Sequence, residues 1–389
     1  MKMHSVPTQR QSAAILAATG LILTFYLWLF LHAESQLSVA ILIAVCVVAF
    51  FGARRVGVAQ AVEQASKQRP GLARLWALGG ALILIAAFYE SHFILLMICA
   101  VLLYTTACLG LTMQFGFSGV ANFAGAAFFG IGSYATAVLS THTGTPHILI
   151  IIASGLIAAL IGSMLITPVL RTRGHYAALV TIAFGILFKT FIEVNDVLGG
   201  PQGLQVPGMS LFGYEFNNGF SVFGVEISFY VSYALLSLGI CAGVFVIVKA
   251  LEHSWVGLAM DVVRTDETAA ATFGLHIARW KVVAFTLGNF FIGVAGSVYG
   301  MITAFIAPNN FTFADSLLML SIVILGGLGN AVGLIPAALI VLVLPEKLQF
   351  IQEYRFLLYA ALVIAILRFH PDGLLPRKTR IFFSRETSR

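Results

Sequence analysis

Long runs of apolar residues, separated by short polar stretches, recur along the whole chain. A helix needs roughly 20 apolar residues to cross a bilayer, and peptide groups inside lipid must be hydrogen-bonded internally. The pattern therefore predicts an all-α, polytopic membrane helical bundle of about 10–11 spans, with one or two discontinuous helices. The predicted spans are 13–33, 37–53, 75–89, 92–113, 119–140, 147–168, 177–195, 227–249, 282–304, 316–344 and 355–370.

Lys and Arg concentrate in a few of the polar stretches. The stretch 54–74 holds five of them against one Glu, and both 171–175 and the C-terminal tail are basic. Because cytoplasmic loops carry an excess of Lys and Arg, these segments and both termini are expected in the cytoplasm. The stretches without Lys or Arg that we expect to be external are 140–147, 198–226 and 306–313.

One apolar stretch does not fit this orientation. If 316–344 crosses once, the basic tail ends on the external side, against its charge. The stretch has 29 residues and is interrupted by GGLGN at 326–330. We therefore predict two short half-helices joined near mid-membrane, which return the chain to the external side before the last span. Such breaks indicate a translocation pathway, because irregular backbone at membrane depth needs a protein or water-filled cavity around it.

A second Gly-rich stretch with one Asn lies at 115–134 and resembles the first, which favours two related halves. The predicted pathway residues in the two breaks are Asn122, Gly326, Gly327 and Asn330. The alternative is that these glycines only let helices pack closely, as GxxxG patterns do. Gly296 and Gly300 form one such pattern, and Gly329 and Gly333 another.

Lys189 lies inside an apolar run, with Glu193 one helical turn further on. A charged side chain within a span is costly and faces a partner or a wet cavity. Lys189 is therefore a candidate pathway residue that contacts a carboxylate. The alternative is a mutual pair with Glu193 near the external interface.

The stretch 264–285 is polar at its start, although it lies between two spans. Thr265 or Thr268 is predicted to cap a short helix, and Asp266 and Glu267 suit the positive end of its dipole. Alanines follow, and Gly274 can end the helix. We predict a cytoplasmic helix with a small-residue face, suited either to docking another protein or to a soluble connection.

Composition limits the remaining function classes. The chain has 389 residues, of which 59% are hydrophobic and 10% charged, whereas soluble domains are about a quarter charged. No phosphate-binding GxxxxGK[ST] loop, HExxH or GxSxG motif occurs, so no catalytic residues are predicted. The cysteines lie in apolar runs without metal-ligand spacing, so neither disulfides nor a metal site is predicted. The net charge of +6 is explained by cytoplasmic loops rather than by nucleic acid.

The ordered set of motifs resembles the membrane subunits of ABC importers, specifically the M-type subunit of high-affinity branched-chain amino acid importers. The resemblance covers about 95–380, and its motifs follow the order of that family. They are RTDETAAATFG at 264–274 with Lys281, Phe285 and GVAG at 293–296, RTRGHY at 171–176, GGPQG at 199–203, FTF at 311–313, GGLG at 326–329 and RFHPDGL at 368–374.

The resemblance implies a partner for each step of transport. An H-type permease subunit shares the pathway, two cytoplasmic ATPase subunits dock below it, and a periplasmic binding protein delivers the ligand. This chain then binds no cofactor itself, and ATP is used by the partner subunits. The setting is the bacterial inner membrane.

The resemblance also assigns a coupling helix that docks on the ATPases. Its residues are Arg264, Asp266, Glu267, Ala269, Ala270 and Gly274. The implied organisation is an N-terminal transmembrane extension at 1–90, a permease core at 91–375 and a basic tail at 376–389. Urea and short-chain amide importers have similar membrane subunits and stay open as an alternative. A stand-alone secondary carrier is the alternative from another class.

Overall fold

The structure is a computed structural model of the single chain, and it is almost entirely helical. It describes residues 9–172, 175–211, 213–222 and 225–348, with a few positions after that. The later positions are 354, 357, 358, 360, 361, 364, 368, 373–375 and 377. Most of the predicted span 355–370, and nearly all of the tail 376–389, therefore lie outside the described residues.

Four helices form the N-terminal part of the chain: α1 (Gln9–His32), α2 (Gln36–Val56), α3 (Val58–Gln68) and α4 (Pro70–Ala87). The basic stretch 54–74, expected to be a loop, is thus mostly helical. Its Ala, Gln, Glu and Lys residues are good helix formers. Gly57 separates α2 from α3 with a positive φ of 80°, and Pro70 begins α4, where its missing N–H has no cost.

The remaining helices follow in chain order. They are α5 (His92–Thr112), α6 (Gly125–His142), α7 (His147–Arg171), α8 (His175–Val194), α9 (Tyr230–His253), α10 (Trp255–Thr265), α11 (Glu267–Thr272), α12 (Ile277–Thr303), α13 (Phe313–Gly326), α14 (Leu334–Ala338) and α15 (Leu344–Lys347). Two π-helical segments, Met113–Phe117 and Leu339–Val343, extend α5 and join α14 to α15. Short 3₁₀ turns lie at Asp196–Leu198, Gly200–Gln202 and Pro308–Asn310.

Eight helices among the described residues are long and apolar enough to cross a membrane. They are Arg10–His32, Pro70–Ala87, His92–Phe117, His147–Arg171, Tyr176–Val194, Tyr230–His253, Ile277–Thr303 and Pro308–Gly326. Large apolar side chains stay exposed on them, such as Ile22 at 68%, Met164 at 65% and Leu187 at 67%. Water would not tolerate so much exposed apolar surface, so the solvent of these faces is lipid.

The predicted spans agree with helices over most of the chain, with local differences. The span 37–53 corresponds to α2 (Gln36–Val56). The span 119–140 corresponds to α6, which begins only at Gly125. Residues 119–124 before it are not helical. The long stretch 316–344 is broken, as expected, into α13 and a second helical segment that starts at Leu334.

Short strands replace part of the long external loop. β1 (Leu204–Gln205) pairs antiparallel with β6 (Phe305–Ile306), so two predicted external stretches are joined. β2 (Ser210–Leu211) pairs with β3 (Tyr214–Glu215), and β4 (Phe220–Val222) pairs with β5 (Val225–Ile227), each as a small antiparallel hairpin.

The chain divides into two compact units. The first comprises 1–99, 216–242 and 343–353. Within it α1 packs against α3 and α4. Lys347 ends α15 and donates hydrogen bonds from Nζ to the carbonyls of Leu31 (2.6 Å) and Ala33 (3.0 Å) at the end of α1. A cation there satisfies carbonyl groups that a helix end leaves unpaired.

The second unit comprises 100–215, 243–342 and 354–389. Its centre is α12, which packs against both α6 and α7. A Cβ on Gly132 of α6 would lie 2.1 Å from the carbonyl oxygen of Gly293, and one on Gly296 would lie 1.9 Å from that of Phe129. Only residues without a side chain allow this approach, so the close-packing interpretation is confirmed for Gly296.

Candidate functional site

The polar stretch between α9 and α12 forms two short helices rather than one. α10 ends at Thr265, and α11 follows after the single residue Asp266. Asp266 is the N-cap of α11, and its Oδ1 accepts hydrogen bonds from the backbone N–H groups of Thr268 (2.8 Å) and Ala269 (3.0 Å). The predicted caps Thr265 and Thr268 are therefore wrong. A carboxylate at this position satisfies free N–H groups and also suits the helix dipole.

The end of α11 is closed by Gly274, as predicted. Gly274 has a φ of 79°, and its N–H donates to the carbonyl of Ala271 at 3.0 Å. The N–H of Leu275 donates to the carbonyl of Ala270, also at 3.0 Å. These two bonds form a Schellman motif, which needs the left-handed conformation that glycine adopts without strain.

One face of α11 is open and the other is buried. The exposed residues are Asp266, Glu267, Thr268, Ala271, Thr272, Phe273 and Gly274. Ala270 has no exposed surface and Ala269 is half-buried. The alanines of the predicted small-residue face therefore do not share one exposed surface. Ala271 is exposed, whereas Ala270 packs inward in this conformation. Glu267 is additionally joined to α12 by an ion pair with Lys281, at 2.6 Å between Oε1 and Nζ.

Phe273 is the residue of this segment that the sequence analysis did not single out. It follows the last residue of α11 and is 81% exposed. A large aromatic side chain left open beside a polar helix is a common feature of protein–protein contacts. Its position directly before the helix-ending glycine is the sequence signal that could have identified it.

Arg264 does not belong to the exposed face of α11. It lies in the last turn of α10, and a Cβ on Gly119 would come within 3.2 Å of its Cγ. Its buried Nε has no hydrogen-bond partner among the described residues. Arg264 therefore contacts the first of the two predicted chain breaks.

That first break follows the π-helical end of α5 and runs from 118 to 124. Asn122 is 1% exposed. Its Nδ2 donates to Oε1 of Gln114 (2.8 Å) and to Oδ1 of Asn289 (3.2 Å). Gln114 in turn donates from Nε2 to the same Asn289 oxygen at 3.0 Å. We call Gln114, Asn122 and Asn289 the amide cluster; only Asn122 was predicted.

The second break lies between Gly326 and Leu334. Gly327 has a φ of 103° and ends α13, and the backbone of Gly326 lies against that of Gly333. Asn330 is half-buried and holds the turn by accepting from the N–H of Val332 (3.0 Å) and donating to the carbonyl of Leu375 (2.9 Å). These contacts make the segment a tight hairpin between α13 and α14.

The hairpin contacts elements far from it along the chain. A Cβ on Gly116 would lie 2.3 Å from Gly329, so the second break touches the π-helical segment that precedes the first break. A Cβ on Gly329 would also lie 2.8 Å from Cδ of Arg377, whose guanidinium pairs with Asp261 of α10. The mid-membrane position of the hairpin stays a prediction. Gly326, Gly327 and Asn330 stay predicted pathway residues.

Lys189 is paired within its own helix. Its Nζ lies 3.0 Å from Oε1 of Glu193, and the two side chains are 32% and 35% exposed. An exposed pair with this spacing contributes little stability. The geometry is that of the mutual pair considered from the sequence, and Lys189 stays a candidate for the pathway as well.

A set of lipid-facing helices, two Gly-rich chain breaks and a short exposed polar helix define a polytopic membrane protein of the transporter type. The family model described as "Branched-chain amino acid transport system / permease component" matches residues 93–367. The chain belongs to this family. The match contains the amide cluster, α10, α11 and both breaks.

Individual relatives agree with the family match. The chain is 34% identical to the high-affinity branched-chain amino acid transport system permease protein LivM of Escherichia coli (strain K12), over 71% of this chain and 68% of that protein. It is 25% identical to the probable permease LivM of Methanocaldococcus jannaschii, over 71% and 91% respectively. The permease protein LivH of Escherichia coli (strain K12) is 26% identical, over 70% and 91%. No solved structure gives a significant match.

Proposed function

We propose that this chain is a transmembrane pathway subunit of a binding-protein-dependent ABC importer for branched-chain amino acids. The observation that carries the proposal is the exposed face of α11, held rigidly by Asp266 and Gly274 between spans of a permease-family chain. A polar helix with both ends fixed by hydrogen bonds is suited to transmit a displacement that a docked protein imposes on it. The ligand class rests on the similarity to branched-chain amino acid transport permeases.

The proposal requires separate partner proteins. The chain pairs with an H-type permease, and its similarity to both LivM and LivH proteins supports two related subunits. Two cytoplasmic ATPase subunits use ATP, so this chain is a non-catalytic subunit that binds no cofactor. A periplasmic binding protein delivers the ligand to the external hairpins. The chain lies in a bacterial inner membrane with both termini in the cytoplasm, and 91–375 forms the permease core.

The contacts of α11 indicate how its displacement would reach neighbouring elements. The Glu267–Lys281 ion pair joins α11 to the first turn of α12, and α12 continues to Asn289 in the amide cluster. On the other side α11 follows α10, whose Arg264 lies against Gly119 in the first break. Displacement of α11 by closing ATPases would therefore bias both α12 and the break, as expected for a two-state conduit.

Reconstituted transport tests the function. The complex is purified from cells that express the neighbouring genes, through a tag on this chain, and placed in vesicles with the cognate binding protein. We expect uptake of labelled leucine that needs both ATP and the binding protein. Labelled urea, measured in parallel, is expected to stay outside. Urea uptake would move the ligand to the amide branch, and solute movement by this chain alone would support a stand-alone carrier instead.

A charge exchange tests the docking role of α11 separately. Glu267→Lys removes an exposed carboxylate and also opposes Lys281, so we expect uptake to be abolished at normal membrane abundance. The double variant Glu267→Lys with Lys281→Glu restores an ion pair within this chain but not the charge offered to a partner. Uptake is expected to stay abolished in the double variant. Recovery would assign Glu267 to internal packing and contradict its docking role.

A further inference from the structure

Arg377, close to the C-terminal end of the chain, contacts several residues that are distant in sequence. Its Nη1 and Nη2 donate to the two carboxylate oxygens of Asp261 at 2.6 and 2.8 Å. Its Nε lies 3.5 Å from Oε1 of Glu252, and its guanidinium lies 4.4 Å from the ring centroid of Phe117. Nη1 also approaches the carbonyl oxygen of Gly116 at 3.4 Å. The side chain is only 11% exposed.

These partners belong to separate elements of the second unit. Glu252 lies in the last turn of α9, and Asp261 lies in the middle of α10. Gly116 and Phe117 end the π-helical segment before the first break. The stem of Arg377 lies against Gly329 in the second break. One side chain therefore joins α9, α10, the π-helical segment and the second break.

The backbone before Arg377 is fixed in the same region. The N–H of Leu374 donates to the carbonyl of Leu325 at 2.8 Å, near the end of α13. The carbonyl of Leu375 accepts from Asn330 at 2.9 Å, and a Cβ on Gly373 would lie 2.5 Å from Gly327. Residues 373–375 are thus attached to the second break, and the side chain of Arg377 reaches α10.

Two carboxylates, Glu252 and Asp261, face the Arg377 guanidinium, which favours a specific connection. Glu252 is shared between Arg377 and Lys249, whose Nζ lies 2.8 Å from Oε2. Asp261 is paired with Arg377 through both oxygens, and Arg264 lies one turn further along α10. A bidentate carboxylate contact combined with stacking on an aromatic ring matches the planar guanidinium, and a Lys ammonium cannot make both at once.

We propose that Arg377 is a positioning residue for transport, which ties α10 to the π-helical segment before the first break and to the second break, so that they move as one when α11 is displaced. The inference rests on the proposed function, because it assigns a route by which a displacement of α11 by a docked protein would reach other elements. α10 leads directly into α11 through Asp266. A displacement of α11 therefore moves Asp261, and the bidentate contact carries that movement to Phe117 and Gly329.

The test compares transport with ATP use in the reconstituted complex. Arg377→Gln keeps part of the side-chain length but loses the positive charge and the paired N–H donors of the guanidinium. We expect normal ATP hydrolysis and a fall of roughly tenfold in leucine taken up per ATP, within the usual range of coupling between sites. Arg377→Lys should rescue only part of this loss. The matched control is Arg171→Gln, since Arg171 is exposed at the end of α7 and should leave the ratio unchanged.

A second variant keeps the inference testable if Arg377→Gln inserts poorly. Asp261→Asn has the same shape as the wild-type side chain, and Asp261 is 33% exposed, so the change is tolerated more easily. It should lower uptake per ATP in the same direction. An unchanged ratio in both variants, with wild-type uptake intact, would overturn the role of Arg377 alone. Absence of ATP-dependent uptake in the wild-type complex would overturn the proposed function and this inference together.

Discussion

The amide cluster is the most constrained polar site in the second unit. Asn289 accepts two hydrogen bonds on Oδ1, from Gln114 and from Asn122, while its buried Nδ2 has no partner among the described residues. That nitrogen points at α7, where a Cβ on Gly162 would come within 2.3 Å of it. A buried donor without a partner costs free energy.

Replacing Asn122 tests how much this cluster stabilises the fold. Asn122→Ala removes the donor to Gln114 and Asn289 and the acceptor for the N–H of Ala124. We expect the free energy of unfolding to fall by about 1–3 kcal/mol, because buried groups lose their partners. Thermal unfolding of the purified complex measures it. Asn309→Ala, at an exposed position, is the matched control, and equal melting temperatures for the two variants would refute the expectation.

Substitutions at Lys189 and Glu193 distinguish the effect of the Lys189 charge from that of the ion pair. Lys189→Met and Glu193→Gln both break the same contact, but only the first removes the cation. If Lys189 contacts a ligand carboxylate in the pathway, Lys189→Met should lower uptake per inserted subunit several-fold more than Glu193→Gln. Uptake and membrane abundance are measured together for both variants. Equal and small effects would leave only the surface ion pair, which contributes at most about 1 kcal/mol.

Sequence identified some of these residues and missed others for a simple reason. Asn122 was noticed because it stands in a Gly-rich break of an apolar run. Gln114 and Asn289 are single amides within long helices, and nothing local distinguishes them from exposed or lumen-facing side chains. Their roles depend on which helices meet, and the cluster joins positions separated by 175 residues in the chain.

At the scale of elements, α11 follows from local chemistry. A six-residue helix is too short to be stable alone, so its ends must be fixed by capping. Asp266 supplies the first cap and Gly274 the last. The choice of Asp266 over Thr265 could not be made from the sequence, because α10 extends to Thr265 and occupies its side chain with the carbonyl of Asp261 at 2.8 Å.

The glycine at the end of α11 gives a sharp test of this element. Gly274 has open space around its Cα, so Gly274→Val introduces no clash and acts only through its left-handed backbone. A β-branched residue there costs roughly 1–2 kcal/mol, enough to unwind one short turn. We expect ATP-dependent uptake to be lost while the inserted amount stays near normal.

The control for this change uses another left-handed glycine. Gly57 ends α2 with a φ of 80°, close to that of Gly274, and lies in the N-terminal extension. Gly57→Val should impose a comparable strain but leave uptake per inserted subunit intact. If both variants lose uptake to the same degree, the effect belongs to general destabilisation and not to α11.

The second break shows how far an element can be predicted. The predicted orientation required that 316–344 enter the membrane and return to the same side, and the structure does divide it at GGLGN. The partners of the turn were not accessible from the sequence, because glycines permit a close approach to many other elements. The structure shows that Gly329 contacts Gly116 and Arg377. Those partners lie far from the break along the chain.

At the scale of the whole molecule, charge and hydropathy predict an orientation that labelling can check. Thr268 lies on the exposed face of α11 and Tyr214 is 41% exposed in the β2–β3 hairpin. In intact cells a membrane-impermeant thiol reagent should label Tyr214→Cys if the periplasm is accessible, and should not label Thr268→Cys. Inverted vesicles should give the opposite result, because the positive-inside rule assigns α11 to the cytoplasm.

The native thiols set the background for this experiment. Cys46 is exposed, whereas Cys99, Cys108 and Cys241 are buried. A Cys46→Ser parent should therefore give little labelling by itself. Labelling of both introduced cysteines from one side would contradict the predicted orientation and place α11 on the wrong face for an ATPase.

The sequence alone determined the class of the protein, most of its spans and the presence of a glycine-ended polar helix near 264–274. These features depend on hydropathy, charge bias and the conformational preferences of neighbouring residues, which are local. The tertiary structure decided that Gly116 meets Gly329, that three distant amides share hydrogen bonds, and that Arg377 pairs with Asp261. Such contacts arise only when elements far apart in the chain pack together, so no local pattern specifies them.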